Sequence, residues 1–394
     1  MKILMYQWKV YHQPDILAAL ERMGHIVDTD RLSGENYNEN PPFTAEVAGR
    51  IRAEHYDLIL TVNYFGAISD ACMQSGIPYA VWTCDSPLIS MYHRTVYNAC
   101  NYLFIFDQVQ YYYFKSLGLQ HVYYLPLAVD AVRLEQLTGM RENPKIRESE
   151  IAFVGSLYEK NAYDEIACKL TPYLSGYFDA AMNAQADIFG ENIFDRMLTT
   201  DILAELSEMI DFTQSADSFS DLALVFSTTF LGFKMAQRER IGCLSVLGQR
   251  HRVDLYSDSK LFQDDITEAA GVHNLGSVEY MTDMPLVFHR SKVNLNFTIR
   301  NIRSGIPLRV WDVLGAGGFL LTNFQAELPA YFENGKHLVW FDSVEDMRRK
   351  ADYYLTHEEE RIAIAENGHK LVKQHHTYEE RLRLILQSVK GGQE

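Results

Sequence analysis

Short apolar runs alternate with helix-periodic segments along the first third of the chain. The runs have the length of buried strands, and the segments between them repeat apolar residues every three or four positions, as amphipathic helices do. Strands are predicted at Lys2–Tyr6, His25–Asp28, Tyr56–Val62, Ile77–Thr83, Tyr102–Phe106 and His121–Leu125. Helices are predicted at His12–Met23, Ala45–His55, Ile68–Ser75 and Val109–Leu117. This alternation predicts a doubly wound α/β domain with a parallel sheet.

The same pattern begins again at mid-chain. A charged segment that contains Pro and Gly, Leu137–Glu150, is the best candidate linker, and the short strand Ile151–Val154 follows it. We therefore predict two Rossmann-like domains. The N-terminal domain covers residues 1–140, and the C-terminal domain covers residues 150–374.

A long helical stretch, about residues 161–250, replaces the crossover helix that normally follows the first strand of such a domain. We predict that it is a helical insertion, which serves the acceptor or contacts within a homodimer. Strands resume at Val253–Tyr256, Val293–Phe297 and Leu338–Phe341. The final helix, within residues 375–394, is predicted to cross back to the first domain.

Composition narrows the class of protein. Of 394 residues, 47% are hydrophobic and 22% are charged, which is ordinary for a globular protein with ample core material. The formal charge of −16 argues against nucleic-acid or anionic-membrane binding over the whole surface. The five cysteines form no Cys-x-x-Cys pair, which favours a reduced, cytoplasmic setting. No signal peptide or apolar run of about 18 residues is seen, so no transmembrane segment is expected.

The segment Ser304–Gly318, SGIPLRVWDVLGAGG, carries the most chemistry. It predicts a loop, a short helix, a glycine-rich stop and then a buried strand. A helix N-terminus offers unpaired N–H groups to a phosphate, and Arg309 in the first turn can fork onto a diphosphate. Asp312, one turn later, can accept hydrogen bonds from ribose or sugar hydroxyls. The alternative is a surface helix with an ordinary ion pair.

These spacings resemble a known motif. Group-1 glycosyltransferases carry two Glu separated by seven residues, with Gly-x-Pro just after the first. Here Ser304 and Asp312 hold the two acidic places, and Gly305 and Pro307 stand between them. The chain is more similar to the spore-maturation CgeB-type branch, and the residues that carry this resemblance are Asn294, Asn296, Arg300, Arg303, Pro307, Arg309, Asp312, Gly368, His376, Thr377, Tyr378 and Arg381.

This resemblance implies the GT-B arrangement, in which two Rossmann-like domains face each other across a cleft. It also implies transfer of a sugar, with retention of configuration, from a nucleotide diphosphate sugar to a hydroxyl of a protein or glycan. Arg309 would be catalytic, because it would stabilise the departing diphosphate. The donor would contact a further set: Gly155, Ser156, Tyr256, Asn296, Arg300, Ser304, Pro307 and Asp312.

No Asp-x-Asp stands in the predicted C-terminal domain to hold a metal ion on a diphosphate. We therefore expect no metal and no cofactor, with arginines and helix dipoles neutralising the phosphates. Arg238 or Arg240, at the end of the insertion, could be a second phosphate partner. Lys160 could add charge, although a solvated lysine is the plainer interpretation.

On the acceptor side, the strand Ile77–Thr83 leads into Cys84-Asp85-Ser86-Pro87. Parallel strands present ligand contacts at their carboxyl ends, so Asp85 is a candidate base that takes or orients a proton. The alternative is a plain turn, which Asp-Ser-Pro favours. A Trp-x-x-Asp-Ser-Pro stretch recurs at this position in the resembling family.

Two further classes of protein are alternatives to a glycosyltransferase. The missing acid at Ser304, and Ser257 where the family usually has Gly, favour a non-catalytic binding or assembly protein on the same scaffold. Arg309, Asp312 and Asn296 favour the enzyme. A dehydrogenase is disfavoured because no Gly-x-Gly-x-x-Gly follows the first strand.

Overall fold

The computed structural model describes residues 1–31, 38–139, 146–262 and 271–392. The chain forms two compact units. The first comprises Met1–Asp130, Gln214–Ser220 and His375–Glu394, and the second comprises Ala131–Thr213 and Asp221–Gln374. Part of the predicted linker, residues 140–145, lies outside the described residues.

The first unit is built on a sheet of six parallel strands. These are β1 (Lys2–Gln7), β2 (Ile26–Arg31), β3 (Leu58–Val62), β4 (Tyr79–Trp82), β5 (Asn101–Ile105) and β6 (Val122–Tyr124), in the order β2-β1-β3-β4-β5-β6. Helices α1 (Gln13–Arg22), α2 (Pro41–Glu54), α3 (Gly66–Ser75) and α4 (Gln108–Ser116) connect them, with 3-10 turns at Ile89–Met91 and Arg94–Tyr97. Every residue of β3, β4 and β5 is buried, as expected for parallel strands covered on both faces.

The second unit repeats this plan. Its strands are β7 (Ser149–Val154), β8 (Val253–Tyr256), β9 (Val272–Asn274), β10 (Ser291–Asn296), β11 (Leu320–Asn323) and β12 (Val339–Phe341), all parallel, in the order β12-β11-β10-β7-β8-β9. Ile151 on β7 and Val293 on β10 are fully buried at the centre of one apolar core. The two Rossmann-like sheets predicted from the sequence are thus confirmed.

Helices follow β7 for most of the predicted insertion. They are α6 (Ala162–Ile166), α7 (Pro172–Ala186), α8 (Phe194–Met197), α9 (Thr200–Met209), α10 (Leu222–Val225) and α11 (Phe233–Gly248), with a 3-10 turn at Ala167–Lys169 and a π-helical stretch at Phe226–Gly232. The insertion has an apolar core of its own, around Leu174, Phe178 and Phe226. It is therefore a folded subdomain and not an extended loop.

The predicted domain limits and the observed units differ at two places. Residues Gln214–Ser220, inside the insertion, belong to the first unit, where the backbone N–H of Phe219 donates to the carbonyl of Tyr92 at 2.9 Å. Helix α5 (Ala131–Thr138), which covers the start of the predicted linker, belongs to the second unit. Both assignments depend on contacts that no local pattern encodes.

The last third of the chain adds helices α12 (Met284–Arg290), α13 (Leu308–Gly315), α14 (Leu328–Tyr331), α15 (Val344–Thr356), α16 (Glu358–His375) and α17 (Tyr378–Gly391). Helix α17 packs in the first unit, where the Tyr378 ring stacks on His12 and meets Trp82 edge-on. Thr377 caps α17 in a capping box with Glu380, as expected of a Thr just before a helix. Within the described residues, we find no helix whose length and apolarity would suit a bilayer crossing.

A glycine pair tests the packing of α16. In Gly368→Ala, the new Cβ would lie 2.2 Å from the carbonyl oxygen of His337 and 2.8 Å from Leu314 Cδ2. We expect a loss of about 1–3 kcal/mol in the free energy of unfolding, because backbone must shift. Gly176→Ala on α7 meets nothing within 4 Å, and we expect a gain of up to about 1 kcal/mol.

Denaturant unfolding of the two variants beside the wild type measures both effects. Equal stabilities for Gly368→Ala and Gly176→Ala would contradict the packing described for α16.

Candidate functional site

The carboxyl edge of the second sheet gathers four of the eight predicted donor residues. Gly155 and Ser156 follow β7, Tyr256 ends β8, and Asn296 ends β10. These strands are parallel, so their ends meet on one edge, where open α/β sheets bind ligands. The backbone N–H of Gly155 donates to the carbonyl of Tyr256 at 3.1 Å, which joins two of the strand ends. Burial raises the pKa of the Tyr256 phenol.

Arg240, on α11, lies against this edge. Its Nη1 donates to the carbonyl of Ser156 at 2.6 Å, and its Nη2 donates to the carbonyl of Phe297 at 2.8 Å. The guanidinium also packs on the rings of Phe153 and Tyr158, with centroids 5.4 and 4.9 Å away. Arginine has five N–H donors, so each terminal nitrogen keeps a second hydrogen for an anion.

Arg238 points elsewhere. Its Nη1 lies 3.1 Å from an oxygen of Asp179, and its Nη2 donates to Asn183 at 2.9 Å. Of the two arginines proposed as phosphate partners, Arg240 is therefore the one beside Gly155 and Ser156.

The predicted donor residue Asn296 is engaged in a buried network. Its Nδ2 donates to the hydroxyls of Thr298 and Thr322, at 3.0 and 2.9 Å. Asn323 holds the same loop, because its side chain accepts from the Thr298 N–H and donates to the Thr298 carbonyl. Asn296 thus fixes the loop after β10, and both hydrogens of its side-chain amide are used in hydrogen bonds within the protein.

Arg300 is buried in the same loop. Its Nη2 donates to Oε1 of Glu239 at 2.7 Å, and its guanidinium stacks on Phe189 at 4.3 Å from the ring centroid. Its Nε and Nη1 are buried without a hydrogen-bond partner among the described residues. Burial raises the pKa of the Glu239 carboxyl, against the opposing effect of Arg300 and Arg240. Arg303 forms an ion pair with Asp195 of α8. Acids of the insertion and of α11 therefore hold both loop arginines.

Helix α13 begins beside this loop, as the motif predicted. Pro307 stands at its N-cap, and no side chain caps the helix. The Arg309 guanidinium lies over the Phe288 ring, 5.1 Å from its centroid, and contacts the sulfur of Met284. The helix ends at Gly315, and Gly317 takes the left-handed conformation with φ of 75°.

Two residues that bond to this helix and its loop were not predicted from the sequence. The buried carboxylate of Asp312 accepts a hydrogen bond from the hydroxyl of Tyr280 at 3.0 Å. The hydroxyl of Ser304 donates to Oε1 of Glu327 at 2.7 Å, and both residues are buried. Tyr280 lies in the loop before α12 and Glu327 just before α14, so no spacing links either residue to its partner.

In the first unit, Asp85 follows β4 and is exposed at a sheet edge. Asn63, in the left-handed conformation with φ of 65°, donates to Asp85 Oδ2 at 2.6 Å and accepts from the N–H of Cys84 at 2.8 Å. Solvent reaches the Asp85 side chain, yet the protein packed around it raises the pKa of this carboxyl, and the Asn63 hydrogen bond opposes the shift. This geometry is compatible with both interpretations of the Asp85 segment, namely a plain turn and a candidate base.

A cavity of about 290 Å³ lies in the second unit between α7 and α11, and Phe189 and Glu239 are among its lining residues. A larger one, of about 400 Å³, opens at the end of β1 in the first unit, and its lining residues are Gln7, Trp8, Lys9, Val10, Gln13, Pro14 and Arg31. Trp8 is fixed there because its indole N–H donates to the Val62 carbonyl at 2.7 Å. No motif marks this loop in the sequence.

One group among the described residues has the spacing of metal ligands, namely Glu39, His93 and Asp217 in the first unit. His93 is shared between Glu39 and the hydroxyl of Thr95, and Asp217 forms an ion pair with Arg94. The group is not among the predicted donor residues.

Residues 238–387 match a family model described as glycosyl transferase-like. Similar solved structures span nearly the whole chain. A glycosyltransferase from Rickettsia africae ESF-5 has 9% identity and a TM-score of 0.59, over 100% of this chain and 98% of that one. The Anabaena protein HepE, in complex with UDP and glucose, has 12% identity and a TM-score of 0.54, over 99% and 100%.

The fold is GT-B. A putative UDP-N-acetylglucosamine 2-epimerase from Listeria monocytogenes is also similar, with 9% identity and a TM-score of 0.54, over 99% of this chain and 95% of that one. A comparison with curated protein sequences gives no match. The glycosyl transferase-like match and the GT-B architecture together support a transferase, and they agree with the expected fold class.

The two arginines of α11 give a matched test of this GT-B site. In Arg240→Gln, we expect the affinity for a diphosphate, measured with UDP by calorimetry, to fall about tenfold or more, since a charge-assisted donor is lost. In Arg238→Gln we expect a change below about twofold, because that side chain is turned to Asp179. Equal losses in both variants would show that Arg240 has no special place in the site.

Proposed function

We propose that this GT-B protein transfers a sugar from a nucleotide diphosphate sugar to a hydroxyl of a protein or glycan, as a CgeB-type glycosyltransferase. The observation that carries the proposal is Arg240, held at the Gly155–Ser156 turn with hydrogens to spare for a diphosphate. The Anabaena neighbour, in complex with UDP and glucose, supports a nucleotide sugar as the donor.

The proposed chemistry is metal-independent. Breaking the bond between sugar and diphosphate leaves negative charge on the departing phosphate, and stabilising that charge is the main catalytic task. Arg240 and Arg309 would supply the positive charge. The N–H groups around Gly155 and after Pro307 would add hydrogen bonds, although Pro307 has no N–H of its own. Retention of configuration follows from the resemblance to group-1 enzymes.

Asp312 and Tyr280 form the proposed ribose or sugar contact. A carboxylate oxygen can accept two hydrogen bonds, so Asp312 can keep the Tyr280 hydroxyl and still accept from a ligand hydroxyl. Asn296 and Arg300 would shape the pocket from beneath, because their side chains are committed to Thr298, Thr322 and Glu239.

We place the acceptor on the first unit. Asp85 is the proposed base. Its pKa is raised, which is a shift in the direction of neutral pH, and a general base is most effective when its pKa lies near the working pH. The cavity at the end of β1 adds the Trp8 ring, on which a sugar can stack, and the cations Lys9 and Arg31.

All five cysteines are free, which favours a reducing compartment such as the cytoplasm.

A screen of nucleotide sugars tests this function. We expect one nucleoside diphosphate and its sugar conjugates to raise the melting temperature by a few degrees, because a ligand that binds only the native state stabilises it. The same conjugate, given with candidate acceptors, is expected to release the nucleoside diphosphate and form a glycoside. The protein is assayed with and without EDTA, and activity that EDTA abolishes would contradict metal independence.

The products separate the competing activities. Release of a C2-epimer of the donor sugar would identify an epimerase on the same fold. Binding without any transfer or hydrolysis would favour the non-catalytic alternative. That alternative is compatible with the hydrogen bonds that Asn296 and Arg300 already make within the protein. No binding to any nucleotide would overturn the proposal.

Arg309 has a separate test. In Arg309→Ala we expect turnover to fall about 100-fold while donor affinity changes less, since the charge on the leaving group develops mainly in the transition state. Steady-state kinetics and a thermal melt are measured on the same samples. A variant that loses melting temperature but keeps its turnover would show that Arg309 only packs on Phe288 and Met284.

A further inference from the structure

The cavity of about 290 Å³ in the second unit lies between α7 and α11, with Val344 at the start of α15 also on its wall. Among the described residues that line it, none is one of the eight predicted donor residues. Ligand pockets in proteins begin at about 300 Å³, so a cavity of this size suits a small ligand.

Most of the cavity wall is apolar. The apolar side chains on it are Met182, Ala186, Phe189, Met235, Cys243 and Val246. Burial raises the pKa of the Cys243 thiol, so the thiol stays protonated and contributes as a small apolar group. Thioethers also pack well against aromatic rings. This wall therefore fits the apolar body of a ligand, such as a single ring.

Glu239 places a carboxylate in this apolar wall. The residue is 9% exposed, and its Oε1 accepts a hydrogen bond from Arg300 at 2.7 Å. Its Oε2 accepts no hydrogen bond from any residue that the structure describes, and protein atoms do not enclose it. The open space that Glu239 lines is this cavity. A ligand that donates a hydrogen bond to Oε2 would satisfy the remaining acceptor.

The charges around Oε2 favour an uncharged donor. Arg300 already pairs with the Glu239 carboxylate, and the positive charge of Arg240 also acts on it. An ammonium group would add a third cation beside these two arginines, and an anion would face the carboxylate. Arg238, the other charged residue of the wall, is paired with Asp179. A hydroxyl can donate to Oε2 without adding any charge.

We propose that this cavity binds a small uncharged ligand with an apolar body and a hydroxyl, such as a phenol, whose O–H donates to Glu239 Oε2. The apolar body packs among Met182, Phe189 and Met235. The inference goes beyond the proposed function and does not rest on it, because no step of it uses a nucleotide sugar. The same carboxylate holds Arg300, so the ligand lies one side chain away from the loop after β10.

The test uses the full chain with isotope-labelled methionine methyl groups, observed by NMR. The signals of Met182 and Met235, assigned with Met182→Leu and Met235→Leu, report on the cavity. We expect para-ethylphenol to shift both signals. We expect it to bind about tenfold or more tightly than para-ethylanisole, which has the same ring but no hydrogen to donate to a charged acceptor. Para-ethylbenzylamine and para-ethylbenzoate, which carry a charge, are expected to bind more weakly than the phenol.

Two glycine variants show whether binding takes place in the cavity. Gly242 is on its wall, and a Cβ added there meets nothing within 4 Å. In Gly242→Leu we expect the affinity for para-ethylphenol to fall about tenfold or more, with a melting temperature at or above that of the wild type, since glycine is a poor helix former. Gly176→Leu, on α7, also meets nothing within 4 Å, is not on the wall, and is expected to bind as the wild type does.

Glu239→Gln tests the hydrogen bond itself. Glutamine can still accept from Arg300 with its oxygen and then presents an NH₂ group to the cavity. We expect the preference for para-ethylphenol over para-ethylanisole to fall below about twofold, because the acceptor is replaced by a donor. A thermal melt checks the folding of this variant, which leaves Arg300 without its counter-ion. If the variant does not fold, the Gly242→Leu result decides.

Four outcomes overturn the inference. They are equal affinities of the wild type for para-ethylphenol and para-ethylanisole, unmoved signals of Met182 and Met235, undiminished binding in Gly242→Leu, and tighter binding of the amine or the benzoate than of the phenol. Nucleotide binding and sugar transfer are measured separately, so a failure of the proposed function leaves this inference standing, and the reverse also holds.

Discussion

The ion pair between Arg300 and Glu239 is the contact on which the candidate site depends. Both side chains are buried, and the pair holds the loop after β10 against helix α11. Breaking a buried pair by removing one partner typically costs about 3–5 kcal/mol, because the other charge is left uncompensated. The next residue of α11, Arg240, reaches the carbonyls of Ser156 and Phe297. One helix thus fixes the loop and presents a cation to the sheet edge.

Three side chains in and beside that loop are held by buried hydrogen bonds. Asp312 has Tyr280, Ser304 has Glu327, and Asn296 has the hydroxyls of Thr298 and Thr322. A ligand would therefore meet groups already held in place. Preorganised dipoles of this kind stabilise developing charge without reorganising during the reaction.

The insertion explains how such a buried loop is supported. It brings a separate apolar core and supplies Asp195 to Arg303, Asn192 to the carbonyl of Arg300, and Phe189 to the Arg300 guanidinium. In a simple doubly wound domain, a single crossover helix would occupy this part of the chain. The extra helices therefore contribute directly to the candidate donor site and are more than an appended surface.

The sequence by itself determined the strand and helix order, the two sheets, and the loop–helix–glycine segment of α13. The strand Val253–Tyr256 was predicted with its observed limits, because buried strands and amphipathic helices leave a local period in the chain. The candidate residues at the ends of the strands followed from the same reasoning, since parallel strands end on one edge.

Only the tertiary structure decided which side chains meet. Glu327 lies 23 positions from Ser304, Tyr280 lies 32 from Asp312, and Glu239 lies 61 from Arg300. It also placed Gln214–Ser220 with the first unit and turned Arg240, not Arg238, to the Gly155 loop. Such pairings depend on how separate elements pack, and hydrophobic periodicity specifies which face of an element is buried but not the partner that this face meets.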